Sequence, residues 1–114
     1  MHVTKFDDAQ RYETPGHFDM AGLRLQGHPA SVTSGITVSL SYFLPAGGAE
    51  RSGSDTEKIY VVLEGAVTIV TDDGEQTLGR LDSCHLAPGQ ARSIVNRTNA
   101  VATMLVIVVP KVAP

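Results

Sequence analysis

The sequence has a single cysteine, Cys84. One thiol excludes an internal disulfide framework and a cysteine-built zinc site. It leaves Cys84 as a small buried hydrophobe by default, or as a nucleophile if its pKa is lowered. The chain has no basic run or basic amphipathic segment, and its formal net charge is -3, so neither nucleic acid nor a membrane surface is an expected partner. The longest apolar stretch, at 100–110, is interrupted by Thr103 and is too short to span a bilayer. The N-terminal segment lacks an apolar signal core and carries Asp7, Asp8 and Glu13, so a cytoplasmic protein is expected. No internal repeat, low-complexity tract or helical stripe is present.

What remains is a pattern of period two. The 114 residues suit one domain, and a chain of that size buries about 60–70% of its unfolded surface, enough for a core without disulfides. Ile36, Val38, Leu40 and Tyr42 alternate with Thr37, Ser39 and Ser41, which predicts a half-buried strand over 36–42. Leu44-Pro45 is expected to end it, with a turn at Ala46-Gly47-Gly48. IYVVL (59–63) and AVTIVT (66–71) read as further strands, and Asp72-Asp73-Gly74 as a hairpin turn into EQTL (75–78). SCHLA (83–87), ARSIV (91–95) and VATMLVIVV (101–109) complete the series, with one or two strands upstream in HFDMAGLRLQ (17–26). Turn signals about every ten residues predict an all-β sandwich or barrel. The final strand is apolar on both faces, which fits burial between layers or cover by a second subunit. Residues 1–16 are polar, contain Pro15-Gly16, and are expected to form an arm, leaving 17–114 as the barrel domain.

Two segments resemble the motifs of the cupin family. The first, GGAERSGSDTEKIYVVLEG (47–65), follows the frame G-x5-H-x-H-x3,4-E-x6-G. Counting back from Gly65 places Lys58 at the glutamate position, with Ser52 and Ser54, or Arg51 and Gly53, at the two histidines. The second, PGQARSIVN (88–96), keeps Pro88, Gly89 and Asn96 of the frame P-x-G-x2-H-x3-N, one residue shorter, with Arg92 at the histidine. The resemblance implies an all-β, cupin-type double-stranded β-helix, or jelly-roll barrel. It also implies a homodimer pairing through the outer face of a sheet. None of the four family metal-ligand positions keeps its ligand, so no cofactor is expected, although a divalent metal on other ligands stays open.

Lys58 and Arg92 offer fixed positive charge where the family places a metal. A planar guanidinium suits a carboxylate, and an ammonium supplies a point charge. The expected ligand is a small anionic molecule of carboxylate type, bound by Lys58 and Arg92. Lys58, with its pKa lowered by a cationic neighbour, Tyr60 two residues further on, and His85 are the candidate catalytic groups. The reaction class would be a metal-independent isomerase, lyase or decarboxylase. A non-catalytic binding module and a metal-dependent enzyme are the alternatives. The metal alternative depends on a one-residue slip that turns Glu57 inward in place of Lys58, with His17, His28 and His85 as further ligands. Glu50 and Arg51 are expected on a solvated loop, and Asn96 to satisfy backbone groups in a turn.

Overall fold

The computed structural model describes residues 1–111; the end of the expected barrel domain, 112–114, lies outside the described residues. Nine strands follow a short 3-10 turn at Phe6–Asp8: β1 (Gln10–Tyr12), β2 (His17–Gln26), β3 (Thr37–Ser52), β4 (Glu57–Glu64), β5 (Val67–Thr71), β6 (Gly74–Leu78), β7 (Ser83–Leu86), β8 (Arg92–Val95) and β9 (Ala102–Val109). Hydrogen bonding runs β6-β5-β8-β3-β9-β4-β7, with β2 also paired to β3 and β1 to β2. Every pairing is antiparallel. The sheet curls into a nearly closed barrel, the jelly-roll architecture expected from the strand pattern. No helix among the described residues is long and apolar enough to cross a membrane.

The expected end of the third strand is corrected. β3 does not stop at Leu44-Pro45 but continues through Ala46-Gly47-Gly48 to Ser52. Residues 37–43 pair with β9, and from Gly48 onward the strand pairs with β8. The turn residues mark the bend at which one strand passes between the two halves of the barrel. Ala46 takes a positive φ of 68° there. A Cβ on Gly48 would lie 1.9 Å from the Ile94 carbonyl oxygen, and one on Gly47 2.1 Å from that of Asp19. These backbones approach so closely that only glycine fits. The expected arm is partly built into the sheet, since β1 pairs with β2 through Tyr12 opposite Gly22.

Side chains alternate across each strand. Phe43, Val62, Val67, Ile94, Ala102 and Met104 are buried together and pack one end of the barrel. The inward rows continue from this plug as Ser41, Ser39 and Thr37 on β3, Tyr60 and Lys58 on β4, and Val106 and Val108 on β9, lining a cavity of about 320 Å3. That volume lies at the lower end of the ~300–1,000 Å3 typical of small-molecule pockets. The opposite face of the same strands is apolar and half-buried, with Leu40 opposite Leu23 and Leu105, and Leu105 opposite Val61.

Candidate functional site

Register decides which side chains reach the cavity. Lys58 pairs with Val108 and Tyr60 with Val106, which places both on the inner wall. Glu57 faces outward, so no slip brings it into the barrel. Tyr60 stands opposite Cys84, and Ile59 opposite His85. Of the two β7 candidates, Cys84 therefore points inward, packed against the core cluster, and His85 outward.

The two cations are held in different ways. Arg92 is 6% exposed. Its Nε donates to the Tyr60 hydroxyl at 3.0 Å, and its Nη1 donates to Ser52 Oγ at 3.0 Å and to the Glu50 carbonyl at 3.3 Å. Lys58 Nζ donates to Ser54 Oγ at 2.7 Å. The four positions counted from the family frames are thus brought together as Ser52, Ser54, Lys58 and Arg92. The other counting does not meet: Arg51 is exposed and pairs with Asp72 at 2.7 Å. Neither cavity cation forms a salt bridge among the described residues.

Burial shapes the titration of the site. Desolvation, and then the Arg92 charge, push the Lys58 pKa below the ordinary lysine range. His17, also on the cavity wall, is lowered chiefly by burial; the Pro15 carbonyl opposes this and Arg92 adds to it. Tyr60 is raised by burial, although the Arg92 charge and hydrogen bond pull the other way. Burial also raises the Cys84 thiol, opposite to what a reactive thiolate requires.

The fallback metal ligands are corrected, because no more than two of them meet, and those two lie outside the barrel. His85 Nε2 lies 2.6 Å from Glu57 Oε2 in a pair on the outer surface. His28 is exposed in the turn after β2, and only His17 lines the cavity. His85 falls outside the proposed proton-transfer site for the same reason. Among the described residues no group of three or more His, Cys, Asp or Glu side chains is placed to hold a metal ion. The donors at the family metal positions are two hydroxyls, an ammonium and a guanidinium, a set that repels a divalent cation instead of ligating it.

Several cavity residues carry no sequence motif: Tyr12, Thr14, Arg24 and the row Thr37, Ser39, Ser41. The one signal for Arg24 was a charge between Leu23 and Leu25 in an otherwise apolar stretch. The lining contains three basic side chains, Arg24, Lys58 and Arg92, and no carboxylate.

A nearly closed antiparallel barrel with a ligand-sized cavity, built on the two motif frames, defines a small protein of cupin-type jelly-roll fold, and the chain belongs to the same family as a mycobacterial relative. It is 43% identical to the beta-D-galactosidase Rv1717 of Mycobacterium tuberculosis over 113 residues, 99% of this chain and 97% of that one. Among solved structures it superposes on the polyketide cyclase RemF from Streptomyces resistomycificus with a TM-score of 0.82 and 18% identity, covering 95% of this chain and 78% of that one. A cupin-superfamily sugar phosphate isomerase from Silicibacter pomeroyi gives a TM-score of 0.77 and 24% identity, covering 94% and 74%. A Cupin 2 conserved barrel domain protein from Salinispora arenicola gives 0.77 and 20%, covering 96% and 89%. These structural likenesses establish the fold. No protein-family model matches the chain.

Proposed function

We propose that the protein binds a small organic anion inside the barrel, held by Arg92 and Lys58, and that any chemistry it performs is metal-independent proton transfer by Lys58 and Tyr60. The observation that carries this is a 320 Å3 cavity lined by three cations and no carboxylate. A desolvated, unpaired guanidinium is costly unless an anion completes it. Lys58, whose pKa is lowered by desolvation and by the Arg92 charge, gives up its proton more readily than a free lysine. An isomerase, lyase or decarboxylase of a small carboxylic acid fits these groups. Titration calorimetry against a panel of small mono- and dicarboxylic acids tests the reading; the absence of binding by any of them would overturn it.

The name of the mycobacterial relative suggests glycoside hydrolysis as a second reading. Hydrolysis of that kind ordinarily uses a pair of carboxyl groups flanking the scissile bond. Glu57, the nearest glutamate on β4, faces away from the cavity, so this geometry favours the anion. Turnover of a chromogenic β-galactoside that disappears in Lys58→Ala would reverse the preference.

Binding should depend on pH through Lys58. Its ammonium gives way to the amine at a lower pH than in free lysine, so anion affinity is expected to fall as pH rises through that lowered pKa. Calorimetry between about pH 6 and pH 10 should show this fall in the native protein and not in Lys58→Gln. A fall of equal size in the variant would assign the titration to another group.

The partner we propose is a second copy of this chain. The outer face carrying Leu23, Leu40, Val61 and Leu105 is apolar and half-buried in the single chain, and cover by a like surface is the usual end of such a face. Sedimentation at micromolar concentration should give a dimer, and Leu105→Asp should shift it to monomer. A native protein that sediments as a monomer would remove the proposal.

A further inference from the structure

Arg24 lies on the cavity wall on β2, a different strand from Lys58 on β4 and Arg92 on β8, in an arrangement that the hydrophobic pattern of β2 does not explain. Tyr12 on β1 stacks on it, with the guanidinium carbon 4.3 Å from the ring centroid. The ring is seated there because Gly22, opposite Tyr12 in the ladder, has no side chain; a Cβ at Gly22 would come within 2.8 Å of the ring. Arg24 Nε is buried without a hydrogen-bond partner. No carboxylate pairs with Arg24 among the described residues. An aromatic face holds a guanidinium in place without neutralising it, so the charge is left for something else.

The two positive centres are distinct. Arg24 is on β2, which β3 and β9 separate from Lys58 and Tyr60 on β4, and it is the Tyr60 hydroxyl to which Arg92 donates. Across the β2–β3 ladder Arg24 stands opposite Ser39, in the row of hydroxyls formed by Thr37, Ser39 and Ser41. From Arg24 the wall runs through the hydroxyl row of β3 and the Val106–Val108 row of β9 to Tyr60 and Lys58 on β4.

We propose that Arg24 is a second anion-binding group, so that the ligand is a two-headed acid. One acidic end sits on Arg92 and Lys58, the other on Arg24, and hydroxyl-bearing carbons lie between them against Thr37, Ser39 and Ser41. This rests on the anion-binding reading of the cavity and narrows it. Tyr12 positions Arg24, so strand β1 belongs to the binding site. The second acidic group is a carboxylate or a phosphate, both of which a guanidinium fork accepts.

Three probes with the same six-carbon skeleton test this: gluconate with one acidic end, glucarate with two carboxylates, and 6-phosphogluconate with a carboxylate and a phosphate. Calorimetry on the native protein should show at least one two-headed acid binding about tenfold or more tighter than gluconate. Preference for glucarate assigns a carboxylate to the Arg24 end, and preference for 6-phosphogluconate a phosphate. Arg24→Gln should remove the advantage, so that in this variant the two-headed acids bind within about twofold of gluconate, whereas Arg92→Gln should weaken all three. Gluconate binding as tightly as both two-headed acids would overturn the inference and leave the single-anion reading intact, as would an advantage that survives Arg24→Gln. Binding of none of the three would overturn the inference, and the panel of small mono- and dicarboxylic acids then decides the single-anion reading. If Arg24→Gln does not fold, NMR of the native protein makes the same test. The Arg24 Nε–H resonance should move on addition of the preferred two-headed acid and not on addition of gluconate, and equal movement with both would overturn the proposal.

Discussion

Arg92→Gln is expected to weaken binding of a small carboxylic acid by about 100-fold, the loss of a desolvated charge-assisted contact of roughly 3 kcal/mol. Its effect on stability should be small, because two changes oppose each other. The substitution removes the hydrogen bonds from Arg92 to Tyr60, Ser52 and Glu50, a loss of about 1–3 kcal/mol where polar groups are left unsatisfied. It also removes a guanidinium that is 6% exposed and has no carboxylate partner among the described residues, and the relief of such a charge is of similar size, on the order of a few kcal/mol. The thermal midpoint should therefore move by only about 5 °C in either direction, since ~1 kcal/mol corresponds to a few degrees in a domain of this size. The pKa values of Lys58 and His17 should both rise, because Arg92 contributes to lowering each. Unchanged affinity in a folded variant would remove Arg92 from the site.

The largest stability effect is expected at Asn96, which is fully buried at 0% exposure. Its Nδ2 donates to the Phe43 carbonyl at 3.0 Å and to the Ala100 carbonyl at 2.8 Å. Its Oδ1 accepts from the Thr98 amide at 3.0 Å and from the Thr98 hydroxyl at 2.7 Å. The Asn96 backbone also clamps the bend of β3, accepting from the Ala46 amide and donating to the Gly47 carbonyl, each at 2.8 Å. Asn96→Ala strands a buried carbonyl and a buried amide together, and is expected to cost about 3–5 kcal/mol. Against a total stability of roughly 5–15 kcal/mol, that is a fall in midpoint on the order of 10–20 °C. Denaturant unfolding measures it directly, and a cost below about 1 kcal/mol would mean that water replaces these bonds.

The barrel is legible in the sequence because period-two runs and turn residues are local signals. The strand predicted over 17–26 and the hairpin at 72–74 lie where the structure has β2 and the β5–β6 turn. The bend of β3 was not legible as a bend. Proline, a residue at positive φ and two glycines ordinarily stop a strand, and here long-range pairing to β9 and then β8 carries the chain through. Lys58, Tyr60 and Arg92 could be found by counting from Gly65 and Pro88, since motif spacing fixes strand phase. Alternation alone could not decide between Cys84 and His85, because the choice depends on pairing with Tyr60 across the ladder. Arg24 and the Thr37–Ser39–Ser41 row were missed for a further reason. In β3 the polar side faces the interior, Ser39 being 2% exposed and Ser41 4%, while the apolar side faces out. A rule that places apolar residues inside describes a packed core and inverts on the wall of a cavity.

The sixteen-residue β3 also has a consequence for how the molecule comes apart. It is hydrogen-bonded to β2, β8 and β9, so neither half of the barrel has its own complete set of strands. Partial unfolding that released either half would also have to break this strand. Opening is therefore expected to be cooperative, with the β3 amides exchanging only on global unfolding, as native-state hydrogen exchange would show. The strands at the two ends of this order, β6 and β7, each have one unpaired edge and are expected to fray first. The cavity residues on β3 are thus expected on the most slowly exchanging part of the chain, where a ligand would meet a wall that is rigid before it arrives.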